Sequence, residues 1–149
     1  MTPDAILRIL IRRGFPELAG RHFEIRFGDY DDWMWYDISG ARFIIGVDNS
    51  LRSAPRRVLE GGLAHELAHI TRDLRLRPLQ RARAYQRYGV SSVYRIRDEQ
   101  ATDREEMRRG YGRQLLALML WARARGFTSG REHGLLLADV YRLMRASRG

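Results

Sequence analysis

The residues best suited to chemistry are His65-Glu66-Leu67-Ala68-His69. Two histidines four positions apart on a helix share one face, so both imidazoles can reach a single ion. Zinc takes neutral imidazole nitrogen and, where it does chemistry, commonly keeps three protein ligands and one open position. Glu66 is offset by one residue from His65, at the flank of such an ion. From there it can reach a water and act as a general base. Leu63, Ala64, Leu67, Ala68 and Ile70 surround the motif. The helix should therefore be buried here, and its polar residues need partners, because unpaired buried polar groups are costly. The competing reading is a pair of surface histidines on a solvated helix.

A third ligand is expected elsewhere. His22 and His133 are the only other histidines. Glu99 is the better candidate, at the head of Glu99-Gln100-Ala101-Thr102-Asp103. Asp103 lies four residues on, on the same face, placed to accept a hydrogen bond from the far nitrogen of a ligating histidine. Such carboxylates fix the tautomer and orient the ring. The alternative is an ordinary acidic helix N-terminus favoured by the helix dipole, with Glu105 and Glu106 continuing the pattern. Asp73 lies about 12 Å along the axis from His65 at 1.5 Å per residue, too far to share an ion with both histidines. Small residues (Gly61, Gly62, Ala64 and Ala68 on one helix, Ala101, Gly110 and Gly112 on the next) would let the two helices approach closely. Glycine within a helix costs up to about 1 kcal/mol relative to alanine, so Gly110 and Gly112 imply either close packing or a break.

The elements that position these residues follow from pattern and punctuation. Thr2-Pro3 reads as a helix start, with the helix ending at Gly14 before Pro16. His22–Phe27, Trp33–Ile38 and Arg42–Val47 read as three strands joined by short turns, which predicts an antiparallel meander. Asp48–Ala54 reads as a loop. Pro55 opens the motif helix, which runs to about Asp73. The arginine-rich stretch from Arg75 to Arg97 predicts a short helix and then an irregular or extended passage. A long helix is expected from about Asp98 to Arg125, ending at Gly126, and a last one from about Arg131 to Ala146. The fold class expected is α+β: a three-stranded antiparallel sheet packed on the motif helix and on a second helix carrying Glu99.

The 149 residues fit one domain, 1–149, able to bury a core without staples. With no cysteine, disulfides, thiolate catalysis and cysteine-ligated zinc are excluded. The start lacks a basic region followed by a long apolar stretch, so no signal peptide is expected. The longest apolar run, Leu115–Ala122, falls far short of the roughly 20 residues that span a bilayer. A soluble, cytoplasmic protein is expected, with no membrane span. The net charge is +9, and every one of the 27 basic residues is arginine. Either this surface meets nucleic acid or another anionic partner, or it reflects a bias towards arginine on a hydrated surface. The even spread of arginines along the chain favours the second reading.

From Phe43 to Leu118, about half of the chain, the sequence resembles the gluzincin metallopeptidases. It is most similar to the CaaX prenyl endopeptidase and HtpX family and to their small soluble relatives, the minigluzincins. The resemblance rests on the strand Phe43–Val47, the helix entering His65-Glu66-Leu67-Ala68-His69-Ile70, and Glu99-x-x-x-Asp103 with the helix behind it. It implies a zincin-like fold, one zinc ion per chain held by His65, His69 and Glu99, Glu66 as the general base, and Asp103 supporting a histidine. It also implies a peptide or protein substrate, paired as an added strand along Arg42–Val47. The membrane helices of the large members are missing, so membrane-embedded substrates are not expected. Metzincins fit less well, because Arg72 and Arg75 stand where their glycine and third histidine would be.

The activity expected is therefore zinc-dependent peptide hydrolysis. His133, or a tyrosine from the Tyr85 to Tyr94 region, is the candidate donor to the developing oxyanion. A latent form is also implied by the soluble relatives, with the amphipathic segment Phe127–Gly149 as a cleft cover or, alternatively, a core helix. Two other classes stand beside the peptidase: a zinc-bearing nucleic-acid-binding regulator, and a pseudoenzyme whose metal is structural.

Overall fold

A computed structural model describes residues 1–126 and 134–148. Helix α1 (Pro3–Gly14) starts where Thr2 Oγ1 accepts from the Ala5 amide at 3.3 Å, with proline in its first turn. It buries Ile6, Leu7 and Leu10. Strands β1 (His22–Gly28), β2 (Met34–Ser39) and β3 (Arg42–Asp48) form one sheet.

The sheet is mixed, in the order β1-β3-β2, and this corrects the expected antiparallel meander. β1 runs parallel to β3 with Phe23, Ile25 and Phe27 opposite Phe43, Ile45 and Val47. β2 and β3 form an antiparallel hairpin closed at Ser39 and Arg42, with Gly40 at φ 59°, the left-handed conformation that such tight turns require. Two physical facts explain the order. β3 is buried along Phe43, Ile44, Ile45, Gly46 and Val47, whereas β1 and β2 each keep exposed positions. The continuously apolar strand takes the centre, where both faces are covered. The five residues between β1 and β2 also suffice to step over one strand, since two inter-strand spacings are only about 10 Å. The end of β3 pins that step: Asp48 Oδ2 accepts from the Tyr30 amide at 2.9 Å, and the Asp48 amide donates to the Trp33 carbonyl at 2.8 Å.

Helix α2 (Arg56–Leu74) carries the motif and is buried almost without interruption from Val58 to Thr71. It packs on α1, on β2 and on the later helices. Gly61 allows the closest approach: a β-carbon there would sit 2.4 Å from the Gln114 carbonyl oxygen. Gly62 instead makes room for the Met34 side chain of β2.

The arginine-rich stretch folds as two helices, α3 (Pro78–Val90) and α4 (Ser92–Glu106), with no extended passage between them. Pro78 occupies the first turn of α3, and Ser91 Oγ accepts from the Tyr94 amide at 3.2 Å to start α4. No residue of α3 is buried, so its sequence carries no strong apolar period. The expected long helix from Asp98 is broken. After α4 comes a π turn, Met107–Tyr111, with Gly110 at φ 93°, and then α5 (Gly112–Ala124). The last helix, α6, spans Leu137–Ala146. Leu135 and Val140 are buried against Leu115 and Met119 in a second small core, while Leu136 is exposed. Among the described residues, the C-terminal segment is thus a core element, and none of it lines the cleft described below. No helix among the described residues is long and apolar enough to cross a membrane.

Candidate metal centre

α2 and α4 lie side by side and bury polar faces against each other. On α2 the face carries His65 and His69. On α4 it carries Glu99, Thr102, Asp103 and Glu106, spaced so that all four share one side of the helix. His65 Nε2 lies 3.1 Å from Glu99 Oε2, and His69 Nε2 lies 3.2 Å from Glu99 Oε1. These ligand atoms all lie within 4.8 Å of one another. The two imidazole planes are nearly perpendicular, with centroids 4.7 Å apart, so both nitrogens point at the same carboxylate.

The far nitrogens are held too. His65 Nδ1 lies 3.1 Å from Asp103 Oδ1 and 3.6 Å from Glu106 Oε2. Asp103 is fully buried, and its other oxygen accepts from the Leu135 amide at 2.8 Å. His69 Nδ1 lies 3.1 Å from Thr102 Oγ1. That hydroxyl donates its proton to the Asp98 carbonyl at 2.9 Å and accepts from Arg72 Nη1 at 2.6 Å. With its proton committed, Thr102 accepts from a proton on His69 Nδ1, the arrangement that lets Nε2 ligate once an ion takes the place of any proton there. Arg72 also donates to Asp98 Oδ1 at 2.8 Å and so locks the second support. The Tyr36 ring stacks on His69 at 5.4 Å, and its hydroxyl donates to Asp73 Oδ2 at 2.6 Å. Asp73 is thus a partner of Tyr36 and stands outside the donor cluster.

Electrostatics favour a cation here. Burial alone would push both histidines down, but carboxylates outweigh it. Asp103, Glu106 and Glu99 hold His65 well above its ordinary value, and Glu99 raises His69. Burial would raise Glu99, yet His69 and His65 hold it far below the usual carboxylate range. Glu66 is 6% exposed, and burial pushes it up to about 7 against the pull of His65 and His69. Two imidazoles and one carboxylate make a nitrogen-rich donor set. It suits zinc and similar first-row ions and is unlike the all-oxygen sets of magnesium and calcium. The residues present therefore fit a metal ion.

No family model, no curated protein and no solved structure matches this chain.

Beside the donors opens a cleft of about 760 Å³, walled by β2, α2, α3 and the start of α4. Glu66 lines it. β3, expected to receive substrate, has β1 on one side and β2 on the other and has no free edge. β2 is the sheet edge that lines the cleft. Tyr88 on α3 reaches the donors: its hydroxyl donates to Glu99 Oε1 at 2.5 Å, and Arg95 Nη1 holds its carbonyl at 3.0 Å. Burial and Glu99 both raise Tyr88, which keeps the hydroxyl protonated. Tyr85, by contrast, is exposed. His133 lies outside the described residues.

Thr102 and Glu106 were not anticipated as part of the centre, nor was Tyr36, and Tyr88 was covered only as one of the tyrosines of the Tyr85 to Tyr94 region. The first two were legible in principle, because they follow Glu99 at helical spacing. The two tyrosines come from β2 and α3, and no local pattern ties them to the motif.

Proposed function

We propose that this chain is a zinc-dependent metallopeptidase of the gluzincin kind. The observation that carries the reading is the convergence of His65 Nε2, His69 Nε2 and a Glu99 carboxylate oxygen at the wall of a cleft that Glu66 also lines. His65, His69 and Glu99 would hold the ion. When bound, zinc supplies Lewis-acid activation of a water and polarises a peptide carbonyl.

The chain's own residues do the rest. Glu66, with its proton affinity raised by burial, accepts the proton of the attacking water and returns it to the leaving amine nitrogen. Thr102 and Asp103 hold the two imidazoles in the tautomer that presents Nε2. Tyr88 donates its hydroxyl proton to Glu99 Oε1 and so holds that carboxylate in place. The free edge of β2 takes an extended peptide as an added strand.

The test is Glu66→Gln. Hydrolysis of an unfolded protein substrate should fall by at least about 100-fold, the usual span for a lost general base, with zinc content unchanged. Retained hydrolysis in that variant would sink the mechanism.

A further inference from the structure

In a chain of net charge +9, the cleft is acidic. Asp32, Asp37, Glu66, Asp73, Asp98 and Glu99 line it, against Arg81 as the sole arginine among its described lining residues. Part of this charge already has an account. Glu99 faces the two imidazoles, and Arg72 pairs with Asp98 at 2.8 Å. Asp73 does not fit that account. Its described hydrogen bond comes from the neutral Tyr36 hydroxyl at a half-buried position one helical turn past His69, and burial raises its proton affinity above the ordinary carboxylate value, as befits a carboxylate with no cation in a described ion pair. Tyr36 and Tyr94 line the cleft beside it. Glu66 is also nine-tenths buried, lines the same cleft and takes no hydrogen bond from a described residue.

The chemistry of an occupant follows. An apolar side chain seated there would strip water from Asp73 and give nothing back, which is costly for a carboxylate. An acidic one would add repulsion. A guanidinium or ammonium group would pair with Asp73, with the Tyr94 ring beside it available for a cation–π contact, the Tyr36 ring being already stacked on His69. Resting on the peptidase reading, we infer that the cleft selects peptide segments carrying an arginine or lysine side chain next to the bond presented to Glu66, with Asp73 as counter-charge and Tyr36 and Tyr94 as its walls.

The experiment uses three blocked octapeptides that differ only in one central residue: arginine, norleucine or glutamate. Binding to zinc-loaded Glu66→Gln protein is read by the fluorescence of Trp33 and Trp35, which line the cleft, and cleavage by the parent protein is measured in parallel. The arginine peptide should bind about tenfold tighter than the norleucine one, the scale of one desolvated charge pair, with the glutamate peptide weakest. The preference should shrink in Asp73→Asn and, should that variant fail to fold, in the parent at high salt. Equal binding, or a preference for norleucine or glutamate, overturns the selectivity. So does a preference that neither salt nor Asp73→Asn reduces. Binding preference without any cleavage would refute the peptidase reading and uphold the cation selectivity. Cleavage without preference would refute the selectivity alone.

Discussion

At the scale of single residues, the candidate centre is a problem of protons. To hold an ion each imidazole must present a bare Nε2, which needs an acceptor at Nδ1, and the structure supplies that acceptor twice by different means. His65 uses the buried carboxylate of Asp103, and His69 uses a hydroxyl whose own proton is committed to the Asp98 carbonyl. Thr102→Val keeps the shape and removes the acceptor. We expect zinc affinity to fall about 10- to 100-fold, the usual effect of losing such a support, with the fold intact by circular dichroism. An unchanged affinity would show that Thr102 only packs. The contact pattern also separates what was legible in the chain from what was not. His65, Glu66 and His69 lie within one helical turn or so, and Glu99 and Asp103 are one turn apart, so spacing alone groups them into two sets. Tyr36 and Tyr88 join through β2 and α3, and such long-range meetings leave no local signature. The pairing of His69 with Thr102 was hidden for a different reason: a threonine among acids reads as filler until its partner is seen.

At the scale of elements, the close contact of α2 with α5 depends on Gly61. A β-carbon at Gly61 meets backbone, the Gln114 carbonyl, and backbone cannot swing away as a side chain can. Gly61→Ala should destabilise the fold by about 1–3 kcal/mol, as over-packing does, read as a lower midpoint in urea. A neutral result would mean that the two helices separate freely. Gly110 tests the π turn instead: at φ 93°, alanine is strained whatever the space, and about 1–2 kcal/mol should be lost. Strands and motif helix were legible because their apolar patterns are strong and their ends carry turn residues. Sheet order was not, because a five-residue connection permits both a hairpin and a step over one strand. The short helix expected after Arg75 is α3, but the start of α4 at Ser92, where an irregular or extended passage was expected, was not legible, because the face α4 buries is polar and leaves no apolar period.

At the scale of the whole molecule, the charge is organised rather than merely large. Glu105 is buried under three arginines, Arg75, Arg108 and Arg109, with Arg109 also reaching Glu17 and the Gly14 carbonyl and so tying α1 to the π turn. Burial would raise Glu105, but the arginines hold it below its ordinary value. A carboxyl depressed in the folded state stabilises the fold above its unfolded value, near 4.5, and that contribution drains away as pH falls through the folded value. Acid unfolding should therefore be blunted in Glu105→Gln, which starts less stable at neutral pH and loses less below pH 4.5. Equal slopes would contradict the assignment. The outer arginines pose a separate question, answered by salt: a nucleic-acid partner predicts affinity falling steeply with ionic strength, whereas incidental charge predicts weak, unspecific retention. The central claim, that α2 and α4 build one metal centre, has a direct measurement: zinc per chain in protein purified without added metal, compared with Glu99→Ala. About one zinc in the parent and markedly less in the variant, as a three-ligand site requires, is the predicted result. No zinc in the parent even after reconstitution, or equal zinc in both, would contradict it.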